Sequence, residues 1–197
     1  MTVPTGYAPS QGKIGYLHIS AMSQSNQTKF EREAFEYIVG KEAMIIDVRF
    51  NTGGNIADTL IDWLSRKPRG YIRPRDGAKE FAPSRAWDKP VVVVINEHSY
   101  SNAEIFPYEM RARGLAKLIG TPTPGYVIWT DGLTLVDGTS ARMPQSGFYR
   151  LDGTTQENNG EKPDVEVPLT PDDWLKGRDP QLDKAIEVLM EQAAQTK

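Results

Sequence analysis

The chain has 197 residues, of which 39% are hydrophobic and 25% charged, and its formal net charge is −3. These values are typical of a single globular domain and exclude a disordered tail. The small acidic excess disfavours a general nucleic-acid-binding protein, which needs a basic patch for phosphate. No apolar run has the roughly 18 residues that span a membrane. Because the chain has no cysteine, disulfides, thiolate metal sites and a cysteine nucleophile are excluded.

Apolar, strand-like runs alternate with amphipathic stretches in the first part of the chain. Their spacing predicts, in chain order, a strand at residues 14–19, a helix at 28–39, a strand at 43–48, a helix that carries Ile56, Leu60, Trp63 and Leu64, a strand at 90–96, a helix at 102–113 and a strand at 116–120. The second and third strands are almost unbroken apolar sequence, which is typical of strands buried on both faces of a sheet. Residues 66–89 are rich in proline, glycine and charge, and we expect a surface excursion with one strand there.

The last third of the chain has a different character. Residues 121–164 are rich in turn signals, and the Asp-Gly pairs that begin at Asp131, Asp137 and Asp152 predict hairpins. A final helix is predicted to begin at Pro180 with Asp179 as its N-cap. We expect its apolar face to pack on the core rather than to form an interface; that face consists of Leu182, Ile186 and Leu189.

These patterns predict an α/β fold with a β-rich C-terminal third. We expect one domain over residues 13–197, preceded by a flexible lead-in over residues 1–12. The lead-in lacks the apolar segment of a signal peptide. Because the sequence shows no targeting segment, we expect a cytoplasmic localisation by default.

One candidate for chemistry is the turn that follows the strand at 90–96. It places Ser101 at the entrance of a predicted helix, where backbone N–H groups are unpaired and the helix dipole is positive. A hydroxyl presented there can act as a nucleophile, and the amide that follows it can stabilise an oxyanion. N-capping by a serine explains the same sequence, so local sequence leaves both interpretations open.

A second candidate is the turn that contains Gly53 and Gly54, after the strand at 43–48. Glycine permits a backbone with positive φ whose amides point into a cleft, although an ordinary strand-to-helix connection would have the same sequence. No Lys-Ser or Lys-Thr pair follows, which excludes a Walker-type phosphate loop. If the two strands are parallel, both turns lie at one edge of the sheet, where ligand sites of open α/β sheets are found.

Several motifs in a fixed order make the sequence recognisable; they are residues 45–54, 96–106, 120–123, 157–160 and 163–167. Together they resemble the C-terminal processing, or tail-specific, serine proteases. The similarity is greatest to the tricorn protease branch of that family, and it includes residues 15–19 and 179–182. The resemblance extends over residues 13–190 and implies the ClpP/crotonase-like α/β spiral fold. It also implies a serine peptidase that works without a cofactor.

The resemblance assigns roles to individual residues. Ser101 matches the nucleophile, which forms an acyl-enzyme with the substrate. The backbone N–H groups of Gly54 and Asn102 match the two donors of the oxyanion hole, a pair that acyl transfer requires. Glu157 matches a glutamate that supports the catalytic base.

The general base itself is not visible in the sequence. A lysine serves as base in the tail-specific branch after a Gly-x-Pro-Thr turn, but here that turn leads to Tyr126. The tricorn branch uses a histidine from a segment upstream of a PDZ domain, and this sequence begins after that point. His18 lies in a predicted strand and is expected to be structural, whereas His98, three residues before Ser101, is a candidate base that a structural or surface role also explains. We expect the base to come from a missing upstream segment or a partner chain, so that the chain alone is weakly active or inactive.

Gly53 and Ile72 are the predicted substrate-binding residues. Ile72 stands where the tricorn branch carries an acidic residue associated with basic side chains in substrates. This difference disfavours a basic preference and leaves an apolar one open. No metal site is predicted, because the acidic cluster near the C-terminus lacks the spacing of an EF-hand and is expected to cap helices; it consists of Asp172, Asp173, Asp179 and Asp183.

Two other classes of function fit the sequence less well. One is a non-catalytic peptide-binding or assembly module that keeps the fold and binds extended peptide by strand addition. The other is a crotonase-like acyl-CoA enzyme, whose chemistry does not need a serine at a helix entrance. The expected partners are a peptide or unfolded polypeptide substrate and either further copies of the chain or a longer chain that contains it, with no nucleic acid and no membrane.

Overall fold

The computed structural model describes residues 12–36, 40–77, 79–84 and 86–195. The elements, in chain order, are β1 (Ile14–His18), α1 (Gln24–Glu36), β2 (Ala43–Asp47), α2 (Ala57–Leu64), β3 (Gly70–Ile72), β4 (Glu80–Ala82), β5 (Val91–Ile95), α3 (Asn102–Ala112), β6 (Lys117–Gly120), β7 (Ile128–Thr134), β8 (Ser140–Gly147), β9 (Val165–Glu166), α4 (Pro171–Leu175) and α5 (Pro180–Gln195). The chain is therefore a mixed α/β protein. None of the helices in the described ranges is long and apolar enough to cross a membrane.

A five-stranded parallel sheet organises the fold, in the order β1-β2-β5-β6-β9. Every residue of β2 and of β5 is buried, because helices cover both faces of the sheet. This confirms the prediction from their almost unbroken apolar sequences. All five strands point the same way, so the turns that follow β2 and β5 lie at one edge of the sheet.

Two hydrophobic clusters lie on opposite faces of the sheet. On one face, the sheet packs against α1, α2 and α3 through side chains such as Phe30, Leu60 and Phe106. On the other face, α5 packs against β2, β5 and β6. The prediction that the apolar face of α5 belongs to the core is confirmed: Leu182, Ile186 and Leu189 are all buried there.

A buried ion-pair network fixes the start of α5 next to the end of β2. The guanidinium of Arg49 binds both oxygens of Asp47 and both oxygens of Asp179. Tyr16 donates a further hydrogen bond to Asp47 at 2.8 Å. Asp179 also accepts from the amide of Leu182 at 3.0 Å, which confirms its predicted role as the N-cap of α5.

The structure corrects several expected elements. Helix α1 begins at Gln24, four residues before the predicted start, and residues 37–39 of the predicted helix lie outside the described ranges, as do residues 1–11 of the predicted lead-in. The excursion at 66–89 holds two strands, β3 and β4, which pair with each other. The sequence predicted only one strand here, because exposed strands of three residues are too short to show the alternation of apolar and polar residues that marks a strand.

The turn-rich region was predicted in part. Asp137 and Gly138 lie in the turn between β7 and β8, where Gly138 has a φ of 83°. Asp131 and Gly132, by contrast, lie inside β7 and pair with β8, so the prediction of a turn there was wrong. In the described part of this third, the strands are β7, β8 and β9, and the helices α4 and α5 follow them.

Candidate active site

Ser101 occupies a strained position between β5 and α3. Its backbone angles are φ 55° and ψ −120°, in a region that L-residues adopt only at a cost of about 1–3 kcal/mol. Its carbonyl oxygen accepts hydrogen bonds from the amides of Glu104 at 2.7 Å and Ile105 at 3.1 Å. Ser101 and Glu104 have the arrangement of a capping box at the start of α3. The carboxylate of Glu104 accepts from the amide of Ser101 at 3.1 Å in that arrangement.

The glycine-rich turn after β2 lies directly against Ser101. A Cβ atom at Gly53 would stand 2.8 Å from the Cβ of Ser101 and 2.9 Å from the carbonyl oxygen of Tyr100. Gly53 also has a φ of 93°, which a side chain would strain. The amide of Tyr100 donates to the carbonyl oxygen of Asn51 at 2.9 Å. The two turns that the sequence singled out are thus in contact through backbone atoms.

Two backbone amides at these turns have no acceptor among the residues that the structure describes. Gly54 pairs with Met22 in a parallel bridge, but the hydrogen bonds of that bridge use the carbonyl of Gly53 and the amide of Asn55. Asn102 is the first residue of α3, where an amide has no partner within the helix. In the part of the chain that the structure describes, neither the Gly54 amide nor the Asn102 amide donates a hydrogen bond.

Glu104 is completely buried behind Ser101. Its Oε1 accepts from the amides of Ser101 at 3.1 Å and Tyr126 at 2.7 Å. Its Oε2 accepts from the hydroxyl of Thr123 at 2.6 Å and the amide of Gly125 at 2.7 Å. Burial raises the pKa of Glu104, while these four donors oppose that rise because they favour the charged carboxylate. Sequence reasoning missed this residue, although a Ser-x-x-Glu pattern at a helix start is a recognisable signal.

Glu157 lies on the other side of the same segment. Its Oε2 accepts from the amide of Val127 at 2.6 Å, and its own amide donates to the hydroxyl of Thr155 at 3.2 Å. Val127 directly follows Tyr126, whose amide binds Glu104. Glu157 and Ser101 are therefore connected through Glu104 and one short stretch of backbone.

The two histidines lie apart from this network. Nδ1 of His98 is 3.1 Å from the hydroxyl of Tyr100, and its ring stacks on Phe50 with centroids 5.4 Å apart. His18 ends β1, where burial lowers its pKa. Among the hydrogen bonds and ring contacts of the described residues, neither histidine contacts Ser101.

Ile72, the predicted specificity residue, is 59% exposed on β3. The β3–β4 hairpin forms a sheet of its own, separate from the sheet that carries Ser101. Trp174 and Leu175 of α4 are also exposed, at 55% and 88%, and Trp174 contacts Phe50 edge-on with ring centroids 6.1 Å apart. Phe50, which Trp174 contacts, also stacks on His98, three residues before Ser101. Among the described residues, no hydrogen bond joins Ile72 to Ser101.

Comparison with known proteins identifies the class to which this fold and site belong. The family model described as "Peptidase family S41" matches residues 13–167. The chain therefore belongs to peptidase family S41.

Within the family, the chain is similar to tricorn proteases. It is 38% identical over 185 residues to the tricorn protease of Thermoplasma acidophilum and 37% identical over 183 residues to tricorn protease homolog 1 of Streptomyces coelicolor. These matches cover 93% and 92% of this chain and 17% of each relative. A crystal structure of the tricorn protease superposes with a TM-score of 0.86 at 36% identity, covering 94% of this chain and 18% of that one.

A more distant similarity reaches the other branch. The carboxy-terminal processing protease CtpA of Bacillus subtilis is 26% identical over 180 residues, which are 85% of this chain and 38% of that protein. The resemblance inferred from motifs is therefore confirmed for both branches. The chain spans less than a quarter of the length of the tricorn relatives described above.

Proposed function

We propose that this chain hydrolyses peptide bonds through an acyl-enzyme on Ser101. The amides of Gly54 and Asn102 serve as the oxyanion hole, and Glu157 supports a histidine base that lies outside the described residues. The observation that carries the proposal is the strained backbone of Ser101, with φ 55°, at a strand-to-helix turn packed against Gly53. Strain of this kind at a serine of a peptidase family is typical of a nucleophile that the fold presents to its substrate.

Each step of the proposed hydrolysis is assigned to a particular group. The Oγ of Ser101 attacks the carbonyl carbon of the scissile bond, and its proton passes to the base. The negative charge that develops on the carbonyl oxygen is stabilised by two amides that have no acceptor of their own in the described chain. The base then gives its proton to the leaving amine, and water hydrolyses the ester at Ser101.

The base is proposed to be external because neither histidine of the chain contacts Ser101. The ring of His98 is engaged by Tyr100 and Phe50, and His18 lies at the end of β1. General-base catalysis contributes about 10²–10⁴ in rate, so the chain alone is expected to be a slow enzyme. We further infer the ClpP/crotonase-like spiral for the sheet and its helices, and assembly with further copies or with the rest of a longer chain.

The proposed substrate is an extended peptide or unfolded polypeptide. Ile72, exposed at 59%, favours an apolar rather than a basic side chain in the substrate. Gly53 supports the substrate chain at the turn, because its lack of a side chain keeps the approach to Ser101 open.

Labelling with a fluorophosphonate probe tests the proposal. The chain and its Ser101→Ala variant are treated with the probe, with and without added imidazole as a substitute base, and the adduct is located by mass spectrometry. An adduct on Ser101 that disappears in the variant supports the proposal. A folded chain that forms no adduct under either condition contradicts it and leaves a peptide-binding module as the better description.

A further inference from the structure

Glu104 is a buried carboxylate to which the resemblance assigns no role. It is 0% exposed, and it joins the turn of Ser101 to the segment 123–127. We propose that Glu104 is a positioning residue, which holds Ser101 and, through that segment, Glu157 in the arrangement that peptide hydrolysis requires. This inference rests on the proposed function and deepens it.

The hydrogen bonds of Glu104 require a group that only accepts. Oε1 receives the amides of Ser101 and Tyr126, which belong to the two different segments. Oε2 receives the amide of Gly125 and the hydroxyl of Thr123. Three of the four donors are backbone amides, which cannot reverse their role, so an ionised carboxylate is the side chain that satisfies all of them.

The contact with Ser101 acts on the strained residue itself. A residue with φ near 55° keeps that conformation only where its surroundings hold it. The amide of Ser101 is held by Glu104 Oε1, while its carbonyl oxygen is held by the first turn of α3. Loss of the carboxylate removes the restraint on one side of the nucleophile.

The contact with the second segment reaches the other predicted catalytic residue. The amide of Tyr126 binds Glu104, and the next amide, that of Val127, binds Glu157 at 2.6 Å. One peptide unit therefore lies between the carboxylate that holds the nucleophile turn and the carboxylate that is expected to support the base. A shift of this segment would move Glu157 relative to Ser101.

The surroundings of Glu104 reinforce the connection. The hydroxyl of Thr123 donates to Glu104 and also accepts the amide of Glu161 at 2.6 Å. The side-chain amide of Gln156, the residue before Glu157, donates to the backbone carbonyl oxygen of Glu104 at 3.1 Å. Glu104 thus binds the segment around Glu157 with both its side chain and its backbone.

The substitution Glu104→Gln tests the proposal with little change of shape. A glutamine presents one NH₂ group, which must face either the amide of Gly125 or the amides of Ser101 and Tyr126. With the NH₂ group at the Oε1 position, the bridge between the amides of Ser101 and Tyr126 is lost. With the NH₂ group at the Oε2 position, that bridge remains, but the amide of Gly125 faces a second donor and the segment 123–127 must shift. We expect the rate of fluorophosphonate labelling at Ser101, measured with added imidazole, to fall by about tenfold to a hundredfold, since small displacements of reacting groups have effects of this size.

Amide hydrogen exchange supplies a readout that does not depend on catalysis. In Glu104→Gln we expect faster exchange in peptides that cover residues 97–104 and 121–128, with unchanged protection in β2 and α5. The control is Asp164→Asn, which removes a carboxylate charge from an exposed residue: Asp164 accepts the amide of Leu118 at 2.7 Å and lies 3.6 Å from the guanidinium of Arg111. Leu118 lies near the start of β6 and therefore at the opposite edge of the sheet from Ser101. Both variants are compared with the parent chain at equal distance below their unfolding temperatures.

The outcomes separate the inference from the proposed function. A loss of labelling in Glu104→Gln but not in Asp164→Asn, with local exchange at both segments, supports the positioning role. Labelling of Glu104→Gln within about twofold of the parent at matched stability would overturn it. If the parent chain is never labelled, the proposed function fails, and amide hydrogen exchange alone tests the inference. Faster exchange confined to residues 97–104 and 121–128 then supports the positioning role. Faster exchange throughout the chain contradicts it.

Discussion

The side chain of Asn102 caps the helix that follows the glycine-rich turn. Its Oδ1 accepts the amide of Ala57, the first residue of α2, at 2.9 Å. Asn102 is itself the first residue of α3, so one side chain joins the N-termini of two helices. Both helix dipoles then present their positive ends near Ser101 and Gly54, which favours a substrate oxygen that becomes negatively charged.

Replacement of Asn102 by alanine should therefore weaken both stability and chemistry. The loss of the cap is expected to lower the free energy of unfolding by about 1 kcal/mol. Labelling at Ser101 should slow by about tenfold, because α2 and the preceding turn are no longer fixed to α3. Urea unfolding and the labelling rate measure the two effects.

Thr170→Ala provides the control for this variant. Thr170 caps the short helix α4 by accepting the amide of Asp173 at 3.2 Å, and it is exposed. Its loss should also cost up to about 1 kcal/mol without slowing the labelling of Ser101. Equal slowing in both variants would mean that general destabilisation, rather than the Asn102 cap, accounts for the loss.

Substitution of Gly53 by alanine should remove activity for a steric reason. The new Cβ would stand 2.8 Å from the Cβ of Ser101 and 2.9 Å from the carbonyl oxygen of Tyr100, so the nucleophile must move. Gly138→Ala is matched in backbone conformation, with φ 83° against 93°, but no atom lies within 4 Å of its Cβ position. Strain alone is expected to cost both variants about 1–3 kcal/mol.

Labelling rates distinguish the two glycine variants. Gly53→Ala should be labelled about a hundredfold more slowly than the parent chain, whereas Gly138→Ala should be labelled at the parental rate. A Gly53→Ala chain that reacts normally would show that the turn can move away from Ser101 and that close contact is not required.

The elements that surround the site were predictable where burial gives a strong pattern. The strands β2 and β5 are apolar except for Asp47 at the end of β2, and every residue in them is buried. Such strands can be predicted from sequence. The position of Ser101 at a helix entrance followed from the same strand. The prediction of a turn at Asp131 and Gly132 was wrong because both residues pair with β8. Since β7 is mostly exposed, its sequence has no apolar pattern that would have indicated a strand.

Glu104 could not be assigned its role from sequence, for a different reason. Three of its four side-chain donors belong to residues 123–126, about twenty positions along the chain. They reach the carboxylate only because β6 pairs with β5 and brings the following segment back to α3. At the sequence level, a glutamate three residues into a helix indicates a surface capping box rather than a buried connection.

Alanine at His98 should leave the labelling of Ser101 unchanged within about twofold. The ring contacts the hydroxyl of Tyr100 and the face of Phe50, and it is half-exposed. General bases contribute about 10²–10⁴ in rate, so a base at this position would be unmistakable. A hundredfold loss in His98→Ala would restore His98 as the base.

Stability should fall as the pH falls through the range in which His18 titrates in the unfolded chain. Burial lowers the pKa of His18, and a nearby lysine, Lys29, acts in the same direction, while Asp47 opposes the shift. The unfolded state binds a proton near pH 6.5, and the folded state binds it only at lower pH. Between these two pKa values the unfolded state holds more protons, so the free energy of unfolding decreases with decreasing pH.

His18→Asn isolates this contribution. Urea unfolding at about pH 7.5 and about pH 5.5 should show a smaller difference in the free energy of unfolding for the variant than for the parent chain. An unchanged difference would assign the pH dependence to other groups.

Added imidazole should accelerate the labelling of Ser101 if the base lies outside the described chain. A small base can enter the space that an absent side chain would fill, and general-base help is worth about 10²–10⁴ when it is well placed. We expect the labelling rate to increase with imidazole concentration in the parent chain and to stay at zero in Ser101→Ala.

Glu157→Gln should weaken this acceleration, because a carboxylate stabilises an imidazolium and a neutral amide does not. Since the amide oxygen of a glutamine can still accept from Val127, stability should be nearly preserved, and the ratio of rates with and without imidazole measures the electrostatic contribution of Glu157. Equal acceleration in the parent chain and in Glu157→Gln would remove Glu157 from the catalytic set.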